Sequence, residues 1–320
     1  MEFGYALSSE EHPPQDLVRH ARRAEEAGFT FALISDHFHP WIDAQGHSPF
    51  VWSVIGGIAQ ATERLRLGTG VTCPLIRLHP ALVAQAAATC AAMMPGRFFL
   101  GVGTGENLNE HVLGDRWPAP DERLELLEEA IGVIRELWSG ETTTHRGARY
   151  TVDRARIYTL PDEPPELAVA ASAPQAAELA GRLGDLLIST APDDSIVERF
   201  EQSGGSGKPK LGMVHVCWAE TAERAVETAF EIWPSSALTG SLNTELATPE
   251  DFEGACKVLS QEDVAGTVTH GPDLQPYLDE VRSFAEAGYD HVYFHQVGRD
   301  QEGFFGFWER ELRPALEREL

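Results

Sequence analysis

The chain of 320 residues predicts an α/β fold, a (β/α)8 TIM barrel with insertions at its carboxyl-end mouth. Three observations predict it. Short β-rich runs alternate with helical patterns from one end to the other, as in a barrel of strand–helix units. The β-rich runs end in polar and ionisable residues, and the carboxyl ends of the strands are where such barrels carry their chemistry. No shift in composition marks a boundary, so residues 1–320 read as a single domain, longer than the roughly 250 residues of a plain barrel. An open doubly wound sheet shares the alternation and is the competing architecture.

The β-rich runs fall at 3–7, 29–35, 65–71, 97–102, 167–171, 185–189, 211–218 and 290–295. Helical patterns fill 14–27, 50–63, 79–93, 121–138, 174–183, 220–231, 273–287 and 303–318. Prolines open three of them: Pro13-Pro14, Pro80 and Pro174 suit a first turn, where a missing N–H costs nothing. Gly28 and Gly288 follow two others, at the position that favours left-handed backbone. The excess length falls at 103–120 and 232–272, which read as insertions. Ser203-Gly204-Gly205-Ser206-Gly207 reads as a flexible exposed loop.

Composition narrows the function. Fifty acidic residues stand against 25 basic ones, a formal charge of −25. A field this negative argues against nucleic acid and against an anionic membrane surface. No run approaches the roughly 18 apolar residues of a membrane span, and the N-terminus lacks a basic region followed by a long apolar stretch. The expectation is a soluble cytoplasmic protein acting on a small molecule. Lysine occurs only at 208, 210 and 257, so arginine carries nearly all the positive charge. That surface resembles those of halophilic proteins. Screening should relieve its self-repulsion, so the unfolding midpoint should rise with KCl; a midpoint that stays flat would refute the halophilic reading. Cys73, Cys90, Cys217 and Cys256 are far apart and form no CxxC pair, so they read as small core residues rather than a metal site or disulfides.

The run Phe29-Thr30-Phe31-Ala32-Leu33-Ile34 stops abruptly at Ser35-Asp36-His37-Phe38-His39-Pro40-Trp41. A carboxylate, an imidazole and an indole at a strand end supply a proton acceptor and a flat wall; Asp36 as a simple cap reads equally well on this segment alone. Gly101-Val102-Gly103-Thr104-Gly105-Glu106 lacks the spacing and the following helix of a dinucleotide fingerprint. Its alternate glycines mean backbone lying close to something flat, or a tight turn. Ala171-Ser172-Ala173-Pro174 enters a helix whose first amides could hold an anion, or whose Ser172 could merely cap it. The histidines at 37, 39 and 47 show no zinc spacing, and no metal is expected.

These strand ends together resemble the luciferase-like flavin and deazaflavin oxidoreductases, in the branch typified by the F420-dependent glucose-6-phosphate dehydrogenases. The segments that carry the resemblance are 35–41, Leu67-Gly68-Thr69-Gly70-Val71-Thr72, 98–110, Leu137-Trp138-Ser139-Gly140, 180–185 and His291-Val292-Tyr293-Phe294-His295. The resemblance implies a barrel that binds coenzyme F420 in its mouth. It implies His37 as the base that removes a hydroxyl proton, with Trp41 and Glu106 shaping and polarising the reacting centre. Asp36 and Gly105 would contact the ring system, and a Gly70-Val71 bulge, often a non-prolyl cis peptide, would support its rear face. Ser172, Ala173 and Thr190 would hold its phosphate. Glu10 and His295 would lie beside the substrate. A homodimer is implied as well.

One departure matters. The sugar-phosphate branch grips its substrate with lysines and an arginine, whereas the segment after the sixth strand reads Ala191-Pro192-Asp193-Asp194 here, leaving only Lys257 and Arg282 as candidate cations. An uncharged alcohol or sugar-type hydroxyl is therefore expected, not a phosphorylated sugar. An FMN-dependent monooxygenase is the alternative reading, and a non-catalytic deazaflavin-binding protein a third. His37 and Glu106, a base and a carboxylate, argue against the third.

Overall fold

A computed structural model describes residues 1–319. Eight parallel strands form its centre: β1 (Glu2–Leu7), β2 (Phe31–Ile34), β3 (Arg66–Thr69), β4 (Phe98–Val102), β7 (Glu166–Ala170), β8 (Leu186–Ser189), β9 (Lys210–Cys217) and β11 (His291–Gln296). They pair in the order β1–β2–β3–β4–β7–β8–β9–β11, and β11 returns to β1 with Tyr5 opposite Phe294. The pairings of β8 with β9 and of β9 with β11 close the ring, which excludes the open sheet. The remaining strands lie outside it: β5 (Thr143–Arg146) and β6 (Thr151–Ala155) form an antiparallel hairpin, and the two-residue β10 (Thr269–His270) adds to β9.

Helices cover the outer face, so the strands are buried on both sides and read as near-continuous apolar runs; all four residues of β2 are buried. Phe31, Leu33, Phe99, Leu186, Ile188, Leu211 and Tyr293 fill the barrel interior. A larger apolar layer joins the strands to the helices. The helix Pro14–Glu26 buries Leu17, Ala21 and Ala24 at helical spacing. All four cysteines are free and buried. Among the described residues no helix is long and apolar enough to cross a membrane.

The fold differs from the sequence reading in three places. A short helix, Asp194–Phe200, stands between β8 and β9, capped by Asp193, whose carboxylate accepts from the Ser195 amide at 2.9 Å. The glycine-rich run after it is no free loop: a wide helical turn, Glu201–Gly205, continues the helix, and Gly205 is buried where a Cβ would meet the Phe200 ring at 2.5 Å. The hairpin docks through Glu129, which accepts from the amides of Arg149 and Tyr150, and through the Tyr150 hydroxyl, which donates to the Leu75 carbonyl at 3.1 Å.

Candidate active site

The strands deliver their carboxyl ends to one cavity of about 660 Å³. His37, Trp41, Glu106, Asp36, Gly70, Val71, Gly105, Ser172, Thr190, Glu10 and His295 all line it. Of the site residues the resemblance implied, Ala173 alone stands outside the lining, as the N-cap of the helix Pro174–Leu183.

His37 follows β2 directly. Its Nδ1 lies 3.2 Å from Glu10 Oε1 and 3.3 Å from the His39 carbonyl. Both partners only accept, so Nδ1 carries the proton and Nε2 of the neutral ring keeps a lone pair. Glu10 is buried and accepts from Ser35 Oγ at 2.6 Å and Ser8 Oγ at 3.0 Å. Burial pushes its carboxyl up, but His37 and the hydrogen bonds from Ser35, its own backbone and Ser8 outweigh that and hold it below the ordinary value. Glu10 thus meets the imidazole from behind and fixes its tautomer.

The loop that carries His37 is clasped by Asn109, whose Oδ1 accepts from the amides of Phe38 and His39 while its Nδ2 donates to Glu106 at 3.3 Å. Trp41 stands 5.1 Å from the His37 ring, centroid to centroid. It packs edge-on against Phe252 and Trp233, both from the segment expected as an insertion at 232–272. That segment closes one wall of the cavity with apolar surface, Ile42, Leu108, Leu238 and Phe252 forming a small core beneath it.

Asp36 faces inward differently. One carboxylate oxygen accepts from Thr72 Oγ1 at 2.7 Å and the other from Arg77 at 2.9 Å. Arg77 also meets Glu110, donating its backbone amide at 2.9 Å. Asp36, Arg77 and Glu110 therefore form a buried charge network under the site. Burial raises the Glu110 carboxyl above its ordinary value although Arg77 pulls it down. Neither Arg77 nor Glu110 was singled out in the sequence.

The peptide Gly70–Val71 is cis. The alternate glycines after β4 are explained by this neighbouring segment: a Cβ on Gly101 would strike the Thr69 carbonyl oxygen, one on Gly103 would come within 2.7 Å of Val71, and one on Gly105 within 2.5 Å of the Cys73 sulfur. The flat partner foreseen for the glycines is thus first the 69–73 segment itself, its Thr69 carbonyl and its Val71 and Cys73 side chains drawn close beneath the cavity.

At the far end, Ser172 and Ala173 precede the helix Pro174–Leu183, which has no side-chain cap and Pro174 at its first turn. Ser172 does not cap it, so the first amides of the helix have no side-chain partner, and Ser172 and Ala176 beside them line the cavity, an arrangement suited to an anion. The residues present fit a deazaflavin with its phosphate: a floor at Gly70–Val71 that side chains would obstruct, apolar sides from Leu33 and Ile188, and an uncapped helix end.

No lysine or arginine lines the cavity among the described residues. Asp193 and Asp194 are not in its lining, and Lys257 is exposed. Arg282 is tied to Asp279 and Glu319 on the surface. Among the described residues no group of three or more His, Cys, Asp and Glu is placed to hold a metal ion.

A family profile described as luciferase-like monooxygenase matches residues 1–291. The chain is 34% identical to an F420-dependent glucose-6-phosphate dehydrogenase of Microbacterium testaceum (strain StLB037), over 99% of this chain and 98% of that one. An enzyme of the same description from Mycobacterium avium (strain 104) is also 34% identical, with the same coverage. Among solved structures, an F420-dependent secondary alcohol dehydrogenase in complex with an F420-acetone adduct superposes with a TM-score of 0.91 at 30% identity, covering 98% of both chains. The coenzyme F420-dependent tetrahydromethanopterin reductase from Methanopyrus kandleri, at 18% identity and a TM-score of 0.78, shares the fold.

Proposed function

Because the chain belongs to the luciferase-like monooxygenase family, we propose that it is an F420-dependent dehydrogenase that oxidises an uncharged alcohol or sugar-type hydroxyl. The full-length relatives and the 30%-identical structure are described as F420-dependent dehydrogenases. The monooxygenases with the same fold align at only 17% and 16% identity, and the FMN reading is not favoured. The observation that carries the choice of substrate is the lining itself: His37 backed by Glu10, aromatic walls at Trp41 and Trp233, and no fixed cation.

When bound, coenzyme F420 supplies a two-electron hydride acceptor. The protein supplies the rest. His37 Nε2 takes the hydroxyl proton as the carbon–hydrogen bond yields its electron pair as hydride and the carbonyl forms. Glu10 holds the ring by Nδ1 and stabilises the imidazolium that results. Trp41, Trp233 and Phe252 keep water from the reacting carbon. Asp36, Gly70, Val71 and Gly105 position the ring system, and Ser172, Ala173 and Thr190 hold the phosphate. Glu106, tied to Asn109, is the second carboxylate of the centre.

A phosphate dianion in this lining would meet carboxylates and no counter-ion, a cost of several kcal/mol where water is excluded. Glucose should therefore be oxidised at least as well as glucose 6-phosphate, measured as kcat/KM with F420. Much faster turnover of glucose 6-phosphate would overturn the uncharged-substrate reading. The protein acts in the cytoplasm as a homodimer, without nucleic acid or membrane partners.

A further inference from the structure

A second polar chain reaches the cavity from the opposite side, at β9 and β11. Glu11 and His295 are both buried. Glu11 accepts from the Gly298 amide at 2.7 Å through one oxygen and lies 2.8 Å from His295 Nε2 through the other. His295 Nδ1 is 3.0 Å from His215 Nδ1, on the neighbouring strand and directly opposite in register. His215 and His295 both line the cavity, with Trp233 against them.

The contacts fix the protons. A carboxylate only accepts, so His295 Nε2 donates to Glu11. In the neutral pair His295 Nδ1 then has only a lone pair, and the Nδ1–H of His215 must donate to it. The outer nitrogen of His215, Nε2, is left as an acceptor and has no partner among the described residues. Burial, and then His295 beside it, depress the His215 ring to about 3, which keeps that ring neutral near pH 7.

We infer that His215, held in its acceptor form by His295 and Glu11, binds a second hydroxyl of the substrate, so that the enzyme selects neutral polyols over simple alcohols. This rests on the dehydrogenase reading above and adds the substrate class. A cavity acceptor without a donor disfavours an apolar substrate, which would leave it unsatisfied. A second hydroxyl at His215 Nε2 satisfies it. His215 is then a substrate contact, and His295 and Glu11 are positioning residues.

The test compares 2,3-butanediol with 2-butanol on the F420-loaded enzyme. Wild type should favour the diol in kcat/KM by about tenfold or more, the scale set by leaving one acceptor unmet. His215→Phe should erase that preference, the diol falling to the level of 2-butanol in the same variant, and His215→Asn should restore part of it. Glu11→Gln should lower it through KM for the diol alone. A preference unchanged in His215→Phe overturns the inference and leaves the dehydrogenase reading standing. No oxidation of either alcohol overturns both. A readout independent of the variant's folding comes from nitrogen NMR of histidine-labelled wild type: the diol, not 2-butanol, should move the acceptor-type Nε2 signal of His215, and an unmoved signal overturns the inference.

Discussion

His37→Ala lowers alcohol oxidation by about 10²–10⁴-fold, the contribution of a positioned base, and leaves F420 binding nearly unchanged. The size follows from geometry. The His37 ring lies 5.1 Å from Trp41 with its Nε2 lone pair free, and Glu10 Oε1 sits 3.2 Å behind Nδ1 to compensate the charge gained on proton transfer. Removing the ring also leaves Glu10 buried without its imidazole partner, so Glu10 would move up toward protonation. His37→Gln is the better-behaved companion, since its amide can still donate to Glu10. Cofactor titration and single-turnover kinetics separate the two effects. Equal loss of cofactor affinity and turnover would make His37 a binding residue and refute its role as base.

The second large effect is on stability. Arg77→Met leaves Asp36 and Glu110 buried with no cation between them. Breaking a buried charge network by removing one partner costs about 3–5 kcal/mol. Urea unfolding at neutral pH should show that loss, and one below about 1 kcal/mol would mean the network is solvated. The pH dependence has a definite sign. Burial already sets the folded-state carboxyl of Glu110 above its unfolded-chain value, so the folded state holds its proton where the unfolded chain has released it. Without Arg77 that gap widens. The extra loss is therefore greatest above the shifted value and fades as pH falls to the ordinary carboxylate range, where Glu110 is protonated in both states.

Arg77 also shows where sequence reading ends. The barrel strands are legible because strands buried on both faces must be apolar throughout, as Phe31–Ile34 are. His37 and Trp41 are legible because nothing structural asks for an imidazole and an indole just past such a run. Arg77 lies in a loop of ordinary composition, and only folding brings it to Asp36 and Glu110. The β5–β6 hairpin is half-exposed and polar, Thr-Thr-His-Arg against Thr-Val-Asp-Arg-Ala, so no apolar run announces it. Trp233 and Phe252 read as residues of an insertion until their packing on Trp41 shows that the insertion is a wall of the site. His215 sits within β9 and betrays its place only through its register with His295. The resemblance supplied what the residues alone left open: a glycine run that fits a turn equally well, and a helix entrance that could have been a serine cap.

The most direct test of the account is to mix purified protein with F420 and 2,3-butanediol near neutral pH and follow the visible absorbance of the deazaflavin. The account predicts that the band bleaches as the diol is oxidised, and that His37→Ala with the same cofactor bound leaves it intact. A band that persists with every uncharged alcohol, yet bleaches with glucose 6-phosphate, would contradict it.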